Sequence, residues 1–366
     1  MPTTTYRYLF ADLLTNSILA ELPITGVNFT QQLNSAGTFT GHLLLSGVNA
    51  SGLNVDNGTI PGRTAVYVDR NGVLVWGGVL WGREYDSTGQ TLTFQAREFE
   101  SYFERRRITT TRVFNNTDQL TIAQTLVNDA QSTAAGNIGV VVPSNTSGVL
   151  VSRTYYAYEL KGVYPALQDL SRQTNGFDMN IEVSYNGGGN PIKTLNLSYP
   201  RAGVAYTSSS YIVPTFEFPA GNVVEYYYPE DGSIAANTIY ALGAGSNEGK
   251  LIATATDTSK TSTGWPLLED QANYSDVTDA TMLAGLASGQ VAAVSYPPTT
   301  LKVTVPPYEN PTFGTYKIGD DARVIIQDSR FPTGLNAIYR IVAFNVAPGE
   351  NGPERVTLTL TTGTGA

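Results

Sequence analysis

The residues best placed to do chemistry in this chain are carboxylates. Glu269, Asp270, Asp276 and Asp279 form the densest acidic cluster. A glycosidase needs two carboxylates facing across a cleft, and a calcium site needs several converging oxygens. The cluster matches no EF-hand spacing, and it stands just ahead of a helical pattern, where acids favour the helix N-terminus. A structural role is the expectation. Asp320-Asp321 reads as a turn leading into a strand. His42 is the only histidine, and no Gly-x-Ser-x-Gly accompanies it. Asn186-Gly187-Gly188-Gly189-Asn190 lacks the Lys-Ser or Lys-Thr of a phosphate loop and reads as a hairpin tip. With no cysteine and one histidine, Cys-based and His-rich metal sites are excluded. No motif calls for a cofactor.

One dense charge run remains, Glu98 to Arg107, with aromatics interleaved. Phe99 and Phe103 are four apart, so a short helix would stack them on one face. A basic-aromatic patch could bind nucleic acid. Against a net charge of −9, however, Arg105, Arg106 and Arg107 fit better as salt-bridged residues at a domain or subunit junction. Phe99, Tyr102, Phe103, Arg105, Arg106 and Arg107 are therefore the interface candidates. Tyrosine is abundant, with 22 residues and clusters at Tyr155-Tyr156-Tyr158 and Tyr226-Tyr227-Tyr228. Such surfaces suit protein interfaces and sugar stacking alike.

The whole composition bears on partners in the same way. Charged residues make up 14% of the 366, against roughly 25% in an average soluble domain. Charge is depleted in interface cores, so a low-charge surface suits a subunit covered by neighbours. The acidic balance argues against a protein built to grip nucleic acid, though not against a conduit that DNA slides through. No run of about 18 apolar residues predicts a membrane span, and Met1 to Thr5 does not read as a signal peptide.

These residues must be positioned by a mainly β chain with α+β parts. Residues 1–106 read as six or seven short strands, a small barrel or sandwich. Ala65–Val68 and Val73–Trp76 flank Asn71-Gly72, a strong hairpin signal because both positions accept positive φ. Val79–Tyr85 and Thr91–Ala96 read as the next pair. Residues 107–205 read as α+β. Leu120, Ala123, Leu126, Val127 and Ala130 have helical spacing behind a cap at Thr117 or Asp118. Leu160, Val163, Leu167 and Leu170 repeat that period, and Phe177, Met179, Ile181 and Val183 alternate as a strand. A second β domain spans 206–244 and 300–366, and residues 245–299, with a helix from about Asp279 to Val294, read as an α+β insertion.

The stretch Ala65 to Ala96 runs strand, turn, strand, strand, turn, strand, and Ala322 to Leu360 does the same, with turns at Phe331–Gly334 and Pro348–Gly352. The echo admits two readings: two copies of one β domain, or the general likeness of antiparallel meanders.

Several stretches, in one order along almost the whole chain, resemble the hub, or tail-associated, minor tail proteins of long-tailed actinobacterial phages. They are Gln32–Phe39, Val75–Trp81, Ala96–Arg106, Leu267–Asp270 with Tyr274–Asp279, Ile318–Val324 and Tyr339–Val342. The resemblance implies a phage tail hub fold of two related β-barrel domains and two smaller α+β domains, one inserted in the second barrel. It implies a homotrimer whose six barrels form a pseudo-sixfold ring at the tail tip. A distal, tube-end tail protein would sit above, and other minor tail proteins, a central spike or a fibre below. Tape measure protein and DNA would pass through. Relatives often carry cell-wall-cleaving or receptor-binding extensions. This sequence stops at Ala366, just after its last strand, so neither activity is expected. The expectation is a non-enzymatic virion component made in the host bacterial cytoplasm. A carbohydrate-binding, host-recognition module is the alternative, and a cell-wall hydrolase a third reading with only family habit behind it.

Overall fold

The computed structural model describes residues 4–46, 52–295, 300–349 and 353–362. The chain opens with β1 (Tyr6–Asp12), β2 (Ile18–Glu21), β3 (Thr25–Gln32) and β4 (Thr38–Leu44). A one-turn α1 (Val55–Gly58) precedes β5 (Thr64–Arg70), β6 (Val73–Asp86) and β7 (Thr91–Glu98). The β5–β6 hairpin turns at Asn71 and Gly72, with φ of 55° and 84°, the positive values that this dipeptide tolerates. Two strands were expected across 73–85. Instead β6 is one strand of 14 residues, bent where a β-bulge at Trp81 shifts its register on β7.

The middle of the chain holds α2 (Glu100–Glu104), β8 (Arg112–Asp118), α3 (Gln119–Ala130), β9 (Val140–Val141) and β10 (Leu150–Tyr155). It continues with α4 (Val163–Arg172), β11 (Asp178–Tyr185) and β12 (Pro191–Ser198). Asp118 caps α3, its carboxylate accepting from the backbone N–H of Leu120 and Thr121. Leu160, expected in the second helix, lies outside it with φ of 47° and an exposed side chain. Pro165 sits in the first turn of α4, where its missing N–H costs nothing.

Next come β13 (Thr215–Phe218), β14 (Glu225–Tyr227), β15 (Thr238–Leu242), β16 (Ile252–Thr256), α5 (Thr258–Thr261), β17 (Glu269–Asn273) and α6 (Ala280–Val294). Strand β15 pairs with β16 and β17 in a separate three-stranded sheet, so that sheet begins at Thr238, ahead of the edge at 245 read from the sequence. The chain closes with β18 (Thr300–Val305), β19 (Asp321–Ile326), β20 (Leu335–Ala347) and β21 (Arg355–Thr362). Part of the turn expected at 348–352, Glu350 to Gly352, falls outside the described residues.

Strands from both ends of the chain form one thirteen-stranded sheet. Its order is β14-β18-β21-β20-β3-β4-β7-β6-β5-β1-β2, with β19 paired to β20 and β13 to β19. The expected pair of β-barrels is not what these strands build. Among the described residues the ladder closes no barrel, because β3 hydrogen-bonds to β20 and joins the two β units edge to edge.

Alternation along the strands sorts their side chains between two cores. In β1, Tyr8 and Phe10 enter a core shared with the second unit's Phe216, Val303, Val324, Ile341 and Phe344. Leu9 and Ala11 point the other way, into a core built with α3, α4, α6, β11 and β12. The near-continuous apolar run of β5 follows from burial on both faces.

Candidate assembly interface

The acidic cluster disperses into structural roles. Asp279 caps α6 by accepting from the Met282 N–H at 2.7 Å. Glu269 and Asp270 lie exposed on β17, where the Tyr240 hydroxyl donates to Glu269. Asp276 accepts from Arg153 at 2.6 Å and Lys161 at 2.5 Å, and Lys161 also meets Asp169 at 2.5 Å. Burial opposes the Asp276 charge, but these two cations outweigh it and hold the carboxyl below the usual range. Among the described residues, no group of three or more His, Cys, Asp or Glu side chains could hold a metal.

The other sequence candidates settle as simply. His42 is exposed on β4, its Nδ1 3.0 Å from the Thr93 hydroxyl. Asn186 folds the β11–β12 tip by accepting from the N–H groups of Gly188 and Asn190. Asp320 and Asp321 accept from Val204 and Tyr206 N–H groups and from Arg201, anchoring the segment that crosses from the α+β part to the second β unit.

The charge run divides between interior and surface. Phe99 and Phe103 are buried under α2, at 0% and 1% exposure. Folded as they are, they cannot meet another subunit. The Tyr102 hydroxyl donates to the Gly136 carbonyl, and Arg106 donates to the Ala130 carbonyl at the end of α3, a favourable place for a cation. Arg106 also lies 5.9 Å from the Tyr102 ring, and Arg105 5.6 Å from the Trp81 ring. Arg107 donates to the Glu104 carbonyl. Among the described residues none of these three arginines forms an ion pair; the one in this region joins Arg97 to Glu104 at 2.7 Å. Arg105 and Arg107 are the exposed members of the set.

Sequence reasoning missed the contacts that bind the two β units. Arg70 at the end of β5 pairs with the buried Glu354 at 2.8 Å and covers the Phe313 ring at 5.3 Å. The Tyr6 hydroxyl donates to the same Glu354, and burial followed by that carboxylate pushes the phenol well above its ordinary pKa. Arg340 of β20 pairs with Asp178 of β11 and ties the second β unit to the middle α+β part. Beside Arg70 opens a cleft of about 710 Å³ with mixed polar and apolar walls, lined among others by Asn180, Glu182, Asn196, Phe313, Tyr316 and Lys317.

The repeat seen in the sequence is present in the strand registers. In the first unit Leu80 faces Ala96 before the Trp81 bulge and Gly82 faces Gln95 after it. In the second, Ile341 faces Leu360 before a bulge at Val342 and Ala343 faces Thr359 after it. The outer partners repeat too, β4 on β7 and β18 on β21. One difference is that β13 runs parallel to β19, whereas β1 runs antiparallel to β5.

No protein-family model and no curated protein sequence matches the chain. Solved structures do match in fold. The tail protein from Neisseria meningitidis MC58 aligns with a TM-score of 0.59 at 14% identity, covering 97% of this chain and 96% of that one. The 43 kDa tail protein of prophage MuSo2 from Shewanella oneidensis gives 0.59 at 14% identity over 97% and 98%. Prophage tail protein gp18 from Listeria monocytogenes EGD-e gives 0.53 at 12% identity over 96% and 94%. Along almost its full length, the chain has a fold similar to these tail proteins, two of them from prophages.

Proposed function

We propose that this chain is a non-enzymatic, structural hub at the tip of a long-tailed phage tail. Three copies would form a ring in which two β units per chain give six similar positions. The ring would close the six-fold tail tube against the distal tube-end protein and present a three-fold face to a spike, fibre or other minor tail proteins. Tape measure protein and DNA would pass through it. The observation that carries this reading is the duplicated strand plan, with the Trp81 bulge of β6 repeated at Val342 of β20, within a fold similar to that of solved tail proteins. A duplicated unit in a trimer is a direct way to meet six-fold symmetry with three-fold symmetry, and cyclic closure uses heterologous contacts. The net charge of −9 suits a passage that DNA does not stick to. Within this reading residues 1–106 and 206–237 with 300–366 are the related β units, 107–205 and 238–299 the smaller α+β parts, the second beginning at β15, and Arg105 and Arg107 surface contacts to a neighbour.

Electron microscopy of the concentrated protein tests the proposal. Six-lobed rings with a central opening are expected. Compact single-chain particles at every concentration would contradict it. One observation favours a second reading, glycan binding: Tyr156 and Tyr158 stack at 5.2 Å with Tyr158 77% exposed, a platform able to hold a sugar ring. Retention on host cell-wall glycan, abolished by Tyr158→Ala, would move the assignment there.

A further inference from the structure

Among the open strand edges of the large sheet, two stand at equivalent places in the duplicated plan, and that plan says what each is for. Inside the chain, β20 of the second unit uses its outer edge after the Val342 bulge to pair with β3, through Phe344↔Gln31, Asn345↔Thr30 and Val346↔Phe29. The first unit's equivalent of that edge is the stretch of β6 after the Trp81 bulge, Gly82 to Asp86. There β5 covers only Val73 to Val79, and among the described residues no strand pairs with the outer side of Gly82–Asp86. The equivalent of β3 is β14, since β3 flanks β4 as β14 flanks β18. Strand β14 ends the sheet, and its own outer side is likewise unpaired.

We infer that β14 and the residues after it, in one copy of this chain, pair antiparallel with Gly82–Asp86 of a second copy, repeating between subunits the β3–β20 joint within each. This rests on the ring reading and names its seam. The register follows. Asn28 pairs with Thr40, and Tyr227 pairs with Lys302, the counterpart of Thr40. Tyr228 and Glu230 therefore stand where Phe29 and Gln31 do, and Tyr85 and Arg83 stand where Val346 and Phe344 do. The seam pairs are Tyr85 with Tyr228 and Arg83 with Glu230.

Backbone phase agrees. The Leu45 N–H bonds the Gln90 carbonyl, so Leu92 and Phe94 turn their peptide groups toward β4 and Thr91, Thr93 and Gln95 turn theirs toward β6. Gly82, Glu84 and Asp86 are thereby engaged with β7, leaving Arg83 and Tyr85 to present N–H and C=O to the open edge. On the other strand Pro229 takes the place of Thr30, whose peptide faces inward. Its missing N–H costs the seam nothing. Side chains fit as well: Arg83, which within its own chain donates to the Asp56 carbonyl and the Thr59 hydroxyl, meets Glu230, which within its own chain pairs with Arg330; no like charges face each other, and Tyr85, 54% exposed, meets the half-buried Tyr228.

The test uses the absence of cysteine from the chain. Glu84 and Pro229 would form a non-hydrogen-bonded pair with Cα atoms about 4.5 Å apart, within disulfide reach. Single variants Glu84→Cys and Pro229→Cys are mixed, oxidised and run on a non-reducing gel, with the mass of the unmodified protein measured alongside. A disulfide dimer is expected from the mixture, from neither variant alone, and not from Glu84→Cys mixed with Lys302→Cys, which lies on the far side of β14. Gly82→Cys with Asp231→Cys, the adjacent pair of the same type, is expected to repeat the result. A trimeric protein that gives neither cross-link overturns the seam and leaves the ring standing. A chain that stays monomeric and uncross-linked overturns both.

Discussion

Glu98 and Glu100 flank Phe99 at the junction of β7 and α2, both buried at 5% exposure or less. The Gly37 N–H donates to Glu98 at 2.6 Å and the Ile181 N–H to Glu100 at 2.5 Å, but the second oxygen of Glu100 has no partner. Burial, followed by its acidic neighbour, pushes Glu98 well above the ordinary carboxylate range, and burial pushes Glu100 up to about 7. A folded-state pKa above the unfolded value means the stabilisation is complete below about 4.5 and is lost as pH rises through 7. Glu100→Gln should flatten this part of the profile. In thermal melts from pH 4.5 to 8, the variant is expected to gain on the wild type as pH rises, by on the order of 3 kcal/mol. A constant difference across that range would contradict the burial account. Local roles at this scale were partly legible: the cap of α3 was read as Thr117 or Asp118 and is Asp118, and Asp279, read as the approximate start of a helix, is the cap of α6. The Asp276 pairing with Arg153 and Lys161 was not, because its partners are more than a hundred residues away in sequence.

Among elements, reading succeeded where one periodicity ran unbroken and failed where a bulge interrupted it. Helices α3, α4 and α6 follow from their apolar spacing. Strand β3 went unread: its register slips between Thr25 and Asn28, and Asn28, Thr30 and Gln31 give it a polar face. Yet β3 is the strand that joins the units and rules out two separate closed barrels. Gly77-Gly78 lies in β6, within the Val75–Trp81 stretch that carries part of the resemblance. A Cβ on Gly78 would lie 2.2 Å from the Arg97 carbonyl, so glycine is what lets β6 lie against β7 there. The joint between units depends on Arg70 and Glu354, at 14% and 6% side-chain exposure. Removing one member leaves a buried charge uncompensated, so Arg70→Ala is expected to cost about 3–5 kcal/mol in denaturant unfolding. Adding Glu354→Ala should recover part of that loss. Additive losses in the double variant would show that the two residues do not act as a pair.

The whole molecule is two copies of one strand plan, fused through β3 and β20 and backed on one face by helical layers. The sequence hinted at the duplication without deciding it, because side-chain identity between the copies is low while bulge position and register repeat. The scarcity of charge raised the expectation of an assembled protein, and the proposed seam would put that assembly at the open edges of β6 and β14. Among the described residues no helix is long and apolar enough to cross a membrane. The central claim is that this chain closes a ring of three. Light scattering across a concentration series of the purified protein tests it most directly. A mass near three times 39.3 kDa is the predicted result. A mass of 39.3 kDa at every concentration would contradict it.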